Sequence, residues 1–319
     1  MKEVIKIKNI LLILTTIILI SNTSYARRVK ETSITLSTGL EVQKIAPKED
    51  FKNPFQVLID EMILQIKWRG KTEKIVEDII AAAEQFLRNT FEISSQTIKG
   101  NIVPFSQLRR QPAFSKTYSF MTTFHNPDQG YIQIFINSEL LQKHSDAEFV
   151  RGIIHEVLTF SLQPDEFFSL SRKDPEGLFY ATETGGYKLL IEGFANFFTE
   201  VPFTLEMAKS YADALKDECF ASLFPGLDED RIELIKEQSW YRNAHPLGLM
   251  MFDVFSRINP EAMWEYALTF YSRVLGGDIN LVSIASINVK EILYQDYVSL
   301  CQLAGEEPYP RYIFFKDEK

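Results

Sequence analysis

The stretch Ser145–Leu162, SDAEFVRGIIHEVLTFSL, determines how the rest of the chain is interpreted. Ser145 and Glu148 match a capping box, in which each side chain satisfies a backbone N–H of the other residue, so a helix is predicted to begin here. A proline two residues past the stretch ends the helix. The helix carries a broad apolar surface of Phe149, Val150, Ile153, Val157 and Phe160. His155 and Glu156 stand in the middle of it, where polar groups are costly to bury without partners.

His155 and Glu156 begin a string that is similar to the zinc-binding sequence His-Glu-x-x-His. In that sequence the two histidines lie four residues apart on one helix face and hold a metal, and the glutamate activates the bound water. Here the string is His155-Glu156-Val157-Leu158-Thr159, so a threonine, which is a poor zinc ligand, replaces the second histidine. On its own the string favours an ordinary helix over a metal site. In such a helix Arg151, His155 and Thr159 form one row of polar side chains whose hydrogen bonds are satisfied within the protein.

A second stretch, Tyr187–Glu200 (YKLLIEGFANFFTE), is also predicted to be a helix, because it follows two glycines and precedes a proline. Glu192 places a carboxylate in an apolar setting, and Gly193 follows it. Since glycine weakens a helix, we expect a packing reason at Gly193, such as the close approach of another helix.

The string Ile191-Glu192-Gly193-Phe194-Ala195 resembles the second zinc motif of the gluzincin metallopeptidases, which is Asn-Glu-Gly-Phe-Ala in the aminopeptidase N branch. Four of the five positions match, and Ile191 stands where asparagine would be. The resemblance implies an α+β, zincin-like metallopeptidase fold that holds zinc. It also implies that His155 is the first zinc ligand, Glu156 the general base and Glu192 the last ligand.

The resemblance covers roughly residues 130–260 and includes further elements. A strand that ends in Ile134–Asn137 precedes the His-Glu helix, and in the family the corresponding edge strand binds the substrate backbone by β-addition. The family also has a tyrosine, three residues before a glycine, that stabilises an oxyanion. Here His245 lies three residues before Gly248 and Tyr241 lies four residues earlier still, and either side chain could donate to an oxyanion.

His245 has two further interpretations that the sequence leaves open. It stands just before Pro246 at the start of a helix predicted over Leu247–Arg257, where it can be an ordinary first-turn residue. Alternatively, its imidazole completes a metal site with His155 and Glu192 in place of Thr159.

The first 26 residues, Met1–Ala26, are typical of a bacterial secretory signal peptide. Three early lysines precede the apolar run Ile10–Ile20, and Ser24-Tyr25-Ala26 supplies a small-x-small cleavage site. The run has 11 residues, well short of the roughly 20 that cross a membrane. We therefore expect cleavage after Ala26 and export to the periplasm or the medium, with no stable membrane span in the product. The alternative is an uncleaved leader that anchors the chain in the inner membrane.

Composition excludes several classes of protein. The chain has 319 residues, of which 45% are hydrophobic and 13% aromatic, and this excludes a fully disordered chain. Its net charge of −9 argues against a nucleic-acid binder, which needs a basic face. The two cysteines, Cys219 and Cys301, form either a disulfide or two buried thiols, and their spacing does not decide between these.

The expected organisation is a polar N-terminal arm at 27–50, with a strand at Ser33–Leu36, followed by one domain at 51–319. A small antiparallel sheet is predicted in the β-containing part, 51–144, and helices in the part 145–319, so that strands come first and the class is α+β. The other predicted elements are a helix over 72–90, a hairpin of Tyr118–Phe124 and Tyr131–Ile136, and helices Glu261–Leu275 and Val289–Ala304.

Three functions fit this sequence. The first is an exported peptidase, active with an altered metal site. The second is a pseudo-peptidase of the same fold that binds a peptide or protein without catalysis. The third is an unrelated exported helical protein that binds a partner and holds no metal. The sequence leaves open whether the chain is an enzyme and what its oligomeric state is.

Overall fold

A computed structural model describes most of the chain outside the N-terminal leader. Residues 1–26, the predicted leader, lie outside the described part, as do Cys219 and Tyr241. The described ranges are 33–45, 51–93, 97–108, 120–126, 130–174, 177–178, 181–182, 186–201, 203–216, 220–223, 225–232, 244–276 and 279–315.

The described elements comprise short strands, which precede most of the helices, and helices of up to five turns. The strands are β1 (Ser33–Thr35), β2 (Glu41–Gln43), β3 (Ile98–Val103), β4 (Met121–Asn126) and β5 (Tyr131–Asn137). The helices are α1 (Gln56–Arg69), α2 (Glu73–Phe91), α3 (Asp146–Ser161), α4 (Asp165–Lys173), α5 (Tyr187–Thr199), α6 (Leu205–Lys216), α7 (Ala244–Ile258), α8 (Pro260–Leu275), α9 (Leu281–Ser286) and α10 (Val289–Ala304). Short helical segments of three to six residues lie at Phe105–Leu108, Ser138–Lys143, Phe220–Leu223 and Arg311–Ile313.

The helices predicted from the sequence are confirmed. Two of them begin at the capping residues that their sequences indicate. Thr72 accepts a hydrogen bond from the backbone N–H of Ile75 at the start of α2. The capping box of α3 is complete, with Ser145 and Glu148 satisfying each other's backbone N–H groups. Helices α5, α8 and α10 also begin and end within one residue of their predicted bounds.

The sheet differs from the prediction in one respect that bears on the site. Strands β4 and β5 form the predicted antiparallel hairpin, with Met121 opposite Ile136, but β3 pairs in parallel with the other side of β5. The sheet is therefore mixed rather than antiparallel, and β5 is its central strand. The expectation that the strand ending in Ile134–Asn137 is an edge strand was wrong, because alternating hydrophobicity does not show whether a strand has one neighbour or two. Among the described strands, β4 lies at the edge next to β5.

The predicted order of strands first and helices after was also wrong, although the α+β class is confirmed. Helices α1 and α2 precede β3, so the part 51–144 opens with helices. Helix α1 was not predicted from the sequence, because apolar residues lie on two sides of it and not on a single stripe. Leu58, Ile59, Met62 and Ile66 are buried, whereas Val57, Leu64 and Trp68 are exposed.

Residues 33–45, predicted to belong to a polar arm, form a hairpin that packs on the helical part. Leu36, Leu40 and Val42 are buried in the core. The backbone N–H and the hydroxyl of Ser37 donate to the buried Asp296 carboxylate of α10 at 2.7 and 2.6 Å. Burial raises the pKa of Asp296, and these hydrogen bonds partly offset that effect. The hairpin was missed because its buried side chains are few and widely spaced.

Helix α5 lies at the centre of the helical part, where it packs against α3, α7 and α10. The rings of Phe194 and Phe198 on α5 lie 4.9 Å from the ring of Trp264 on α8. Cys301 on α10 is buried and carries a free thiol. In the part of the chain that the structure describes, no helix combines the length and apolarity needed to span a bilayer.

Candidate functional site

The two candidate strings meet at the contact between α3 and α5. His155 lies in the third turn of α3 and is buried. Its Nε2 atom lies 2.9 Å from a carboxylate oxygen of Glu192 on α5. Its Nδ1 atom lies 3.4 Å from the hydroxyl of Thr199, two turns further along α5. The structure therefore brings together the two residues that the sequence proposed as metal ligands.

Two opposed effects act on the pKa of His155. Burial disfavours the imidazolium form of His155, whereas the hydrogen bond and the negative charge of Glu192 favour it. The second effect prevails, so the pKa of His155 is raised above its ordinary value. His155 and Glu192 thus form a partly buried, hydrogen-bonded pair, in which each side chain has its partner within the protein.

Glu156 lies beside this pair and faces the sheet. Its carboxylate accepts a hydrogen bond from the hydroxyl of Thr123 on β4. Burial raises the pKa of Glu156, and the nearby charge of Glu192 raises it further. The positive charge of His155 and the Thr123 hydroxyl act in the opposite direction. The candidate general base is therefore held against the edge strand β4.

Thr159 occupies the position of the missing second histidine, and its hydroxyl is engaged within its own helix. It donates to the carbonyl oxygen of His155 at 2.9 Å. A catalytic zinc usually has three protein ligands, and the described residues contain no cluster of three or more His, Cys, Asp or Glu side chains suited to a metal. The described donors, His155 and Glu192, do not fit a catalytic zinc on their own.

A close contact between α5 and α7 fixes the position of Glu192. A Cβ atom added to Gly193 would lie 2.5 Å from the Cα atom of Gly248, so the two helices touch through their backbones. This confirms the expected close approach at Gly193. His245 lies one turn before Gly248 on α7, and its side chain is outside the described part, as is Tyr241. Their predicted role as oxyanion donors stays a prediction.

Arg151 and Glu200 were not foreseen as residues that support the site. Glu200 ends α5 in a left-handed conformation with φ of 56°. Its carboxylate pairs with Arg151, one turn before His155 on α3. The chain then turns so that the backbone of Val201 hydrogen-bonds to His155 and helps to raise the pKa of His155. The polar row that includes Arg151 is visible in the sequence, but its partner across the helix contact is not.

Comparison with known proteins adds no relative. No protein-family model, no curated protein and no solved structure matches the chain. The resemblance to gluzincins consequently rests on the sequence alone.

Replacing Thr123 by valine is expected to destabilise the protein by about 1–2 kcal/mol, because the partly buried Glu156 carboxylate loses a hydrogen-bond donor without a change in side-chain shape. Urea unfolding at neutral pH measures this loss. Thr122→Val, on the neighbouring position and the opposite face of β4, is the matched control and should change stability by less than about 0.5 kcal/mol. Equal effects of the two substitutions would show that the hydroxyl does not stabilise Glu156.

Proposed function

We propose that the chain is an exported, gluzincin-like pseudo-peptidase, which binds an extended peptide and does not hydrolyse it. The observation that carries this proposal is the 2.9 Å hydrogen bond between His155 Nε2 and the Glu192 carboxylate. Both side chains have the residue types and the helix positions of gluzincin ligands, yet each satisfies the other directly. With Thr159 bonded to its own helix, the pair has become a structural contact between α3 and α5.

The edge strand β4 supports peptide binding as the retained activity. An edge strand presents unpaired backbone N–H and C=O groups, and an extended peptide can add to it as a further strand. Strand β4 lies directly beside the site, since Thr123 contacts Glu156. In this proposal β4, and not β5 as predicted from the sequence, binds the extended peptide.

A second candidate, a peptidase that is active with His245 as the third zinc ligand, has one observation in its favour. The backbone contact between Gly193 and Gly248 holds the start of α7 close to the residue that follows Glu192. His245 is the histidine nearest in sequence to that contact. The pseudo-peptidase is preferred because His155 and Glu192 bond to each other directly and the Thr159 hydroxyl is bonded within its own helix.

Peptide hydrolysis and peptide binding, measured in parallel, separate these functions. The protein is expressed as the full chain, so that any leader is processed, and is assayed with added zinc against a pool of fluorogenic, unstructured peptides. Fluorescence anisotropy with the same peptides, labelled but uncleavable, reports binding. The variants are Glu156→Gln and His245→Ala, and His144→Ala is the control because that ring stacks on Phe120 away from the pair.

The proposed function predicts saturable binding and no hydrolysis above background, with no change in hydrolysis for any variant. Zinc-dependent turnover that both Glu156→Gln and His245→Ala abolish, and that His144→Ala leaves intact, would establish the active peptidase instead. Absence of both binding and turnover would favour the unrelated helical protein and contradict the proposal.

A further inference from the structure

Helix α1 exposes an apolar stripe on the side opposite its buried face. Trp68 is 88% exposed, Val57 69% and Leu64 55%. At 100° per residue the three side chains fall within about 40° of one another around the helix axis. The buried residues Leu58, Ile59, Met62 and Ile66 occupy the other side. Scattered exposed apolar residues are ordinary, but an aligned stripe that includes a nearly bare tryptophan indicates an interaction surface.

The charges on one flank of this stripe favour a second copy of the chain as its partner. Asp60 and Lys67 are both exposed and lie on the same flank of the stripe, one near each end of the helix. Within its own chain Asp60 accepts a hydrogen bond from Gln56 at 2.8 Å, which leaves the carboxylate at the surface. A second α1 running in the opposite direction would therefore bring Asp60 of each copy close to Lys67 of the other.

We propose that α1 is the interface of a symmetric dimer of this chain, in which the two α1 helices pack antiparallel around a twofold axis. When Val57 of one copy lies opposite Trp68 of the second, Asp60 falls within two residues of Lys67 of the second copy, about 3 Å along the axis. Leu64 then lies near the twofold axis, opposite the exposed Glu61 of the second copy. Because the arrangement is isologous, both ion pairs form at once.

The dimer is expected to be weak, because one helix face buries less than the roughly 800 Å² per partner of a standard interface. A dissociation constant on the order of 10–100 μM is expected. Sedimentation equilibrium of the purified protein, expressed as the full chain, covers this range of concentration. Circular dichroism of each variant verifies that these surface substitutions leave the fold intact.

Trp68→Ser should raise the dimer dissociation constant by about thirtyfold or more, since a tryptophan that becomes buried in an interface commonly contributes much of the binding energy. Val282→Ser is the matched control, since Val282 is also an apolar side chain, 78% exposed, but lies on α9, and it should leave the constant unchanged.

Asp60→Lys and Lys67→Asp should each weaken the dimer by about threefold to tenfold, since each places like charges opposite one another. The double variant D60K/K67D should return to within about threefold of the wild type, because both pairs are restored with reversed polarity.

Three results would overturn the proposal. The first is a protein that stays monomeric throughout the concentration range. The second is a dimer that Trp68→Ser does not weaken, and the third is a double variant that does not recover. Sedimentation with vesicles of phosphatidylethanolamine and phosphatidylglycerol, if it occurs for the monomer and depends on Trp68, would identify the stripe as a membrane contact and reject the dimer.

Discussion

Replacing Thr159 by histidine is expected to give a protein that binds about one equivalent of zinc per chain, whereas the wild type holds none at stoichiometric level. Position 159 lies one helical turn beyond His155 on the same row of α3. A histidine there would add a third donor beside His155 and Glu192, whose side chains already meet. Zinc would then take the place of the proton in this hydrogen bond and complete a three-ligand site.

Elemental analysis after dialysis measures the bound zinc, and thermal unfolding with and without zinc measures the coupling to stability. At a zinc concentration of 100 times the dissociation constant, the variant should gain about 2.7 kcal/mol. Thr159→Val is the matched control, since it removes the hydroxyl at nearly constant volume and adds no donor. Glu192→Gln in the Thr159→His background should weaken zinc binding strongly.

The possible results bear differently on the proposed function. Zinc in neither protein would reject the gluzincin relationship, provided that circular dichroism shows the Thr159→His variant to be folded. Stoichiometric zinc in the wild type would mean that another residue, such as His245, supplies the third ligand, and the pseudo-peptidase would be wrong.

The structure matches the sequence best where local chemistry determines it. The start of α3 follows from the reciprocal bonds of Ser145 and Glu148, and the start of α2 follows from Thr72. These bonds join residues three apart in the chain, so one sequence is sufficient to recognise them. Ile132, Ile134 and Ile136 alternate along β5 and all three are buried, and this period of two is a local signal of a strand.

The errors concern partners that are distant in sequence. Strand β3 contains glycine, asparagine and lysine, which disfavour a strand, and it forms because tertiary packing overrides propensity. Its Gly100 lies against Val76 of α2, where a Cβ atom would be 2.2 Å from the valine Cγ1 atom. Nothing near residue 100 in the sequence reveals that helix contact.

The same distinction between local and distant partners applies to the residues of the candidate site. The pairing of His155 with Glu192 was expected from two separated strings, because a known family supplied the relation between them. The contact of Thr123 with Glu156 was not expected, since it depends on which strand of the sheet lies over α3. The role of Glu200 was equally hidden, because it requires the end of α5 to lie beside Arg151.

A large loss of stability is expected from substitutions at the contact between Gly193 and Gly248, which positions Glu192. Gly193→Ala should destabilise the protein by about 3 kcal/mol or more, because the new Cβ would meet backbone atoms that have no rotamer to change. It would lie 2.5 Å from the Cα atom and 2.7 Å from the carbonyl carbon of Gly248. Gly248→Ala should have a similar effect, since its Cβ would lie 2.4 Å from the carbonyl oxygen of Leu189. Relief requires α5 and α7 to separate.

Gly152→Ala provides the control, because Gly152 is also buried within a helix but its nearest neighbour is flexible. A Cβ there would lie 2.8 Å from the Sδ atom of Met121, a side-chain end that can rotate away. The gain in helix propensity, up to about 1 kcal/mol, should offset much of that adjustment. Urea unfolding of the three variants should therefore separate Gly152→Ala from the other two by at least about 2 kcal/mol. If Gly193→Ala proved as stable as Gly152→Ala, α5 would be free to shift along α7. The position of Glu192 opposite His155 would then have to be maintained by α3 alone.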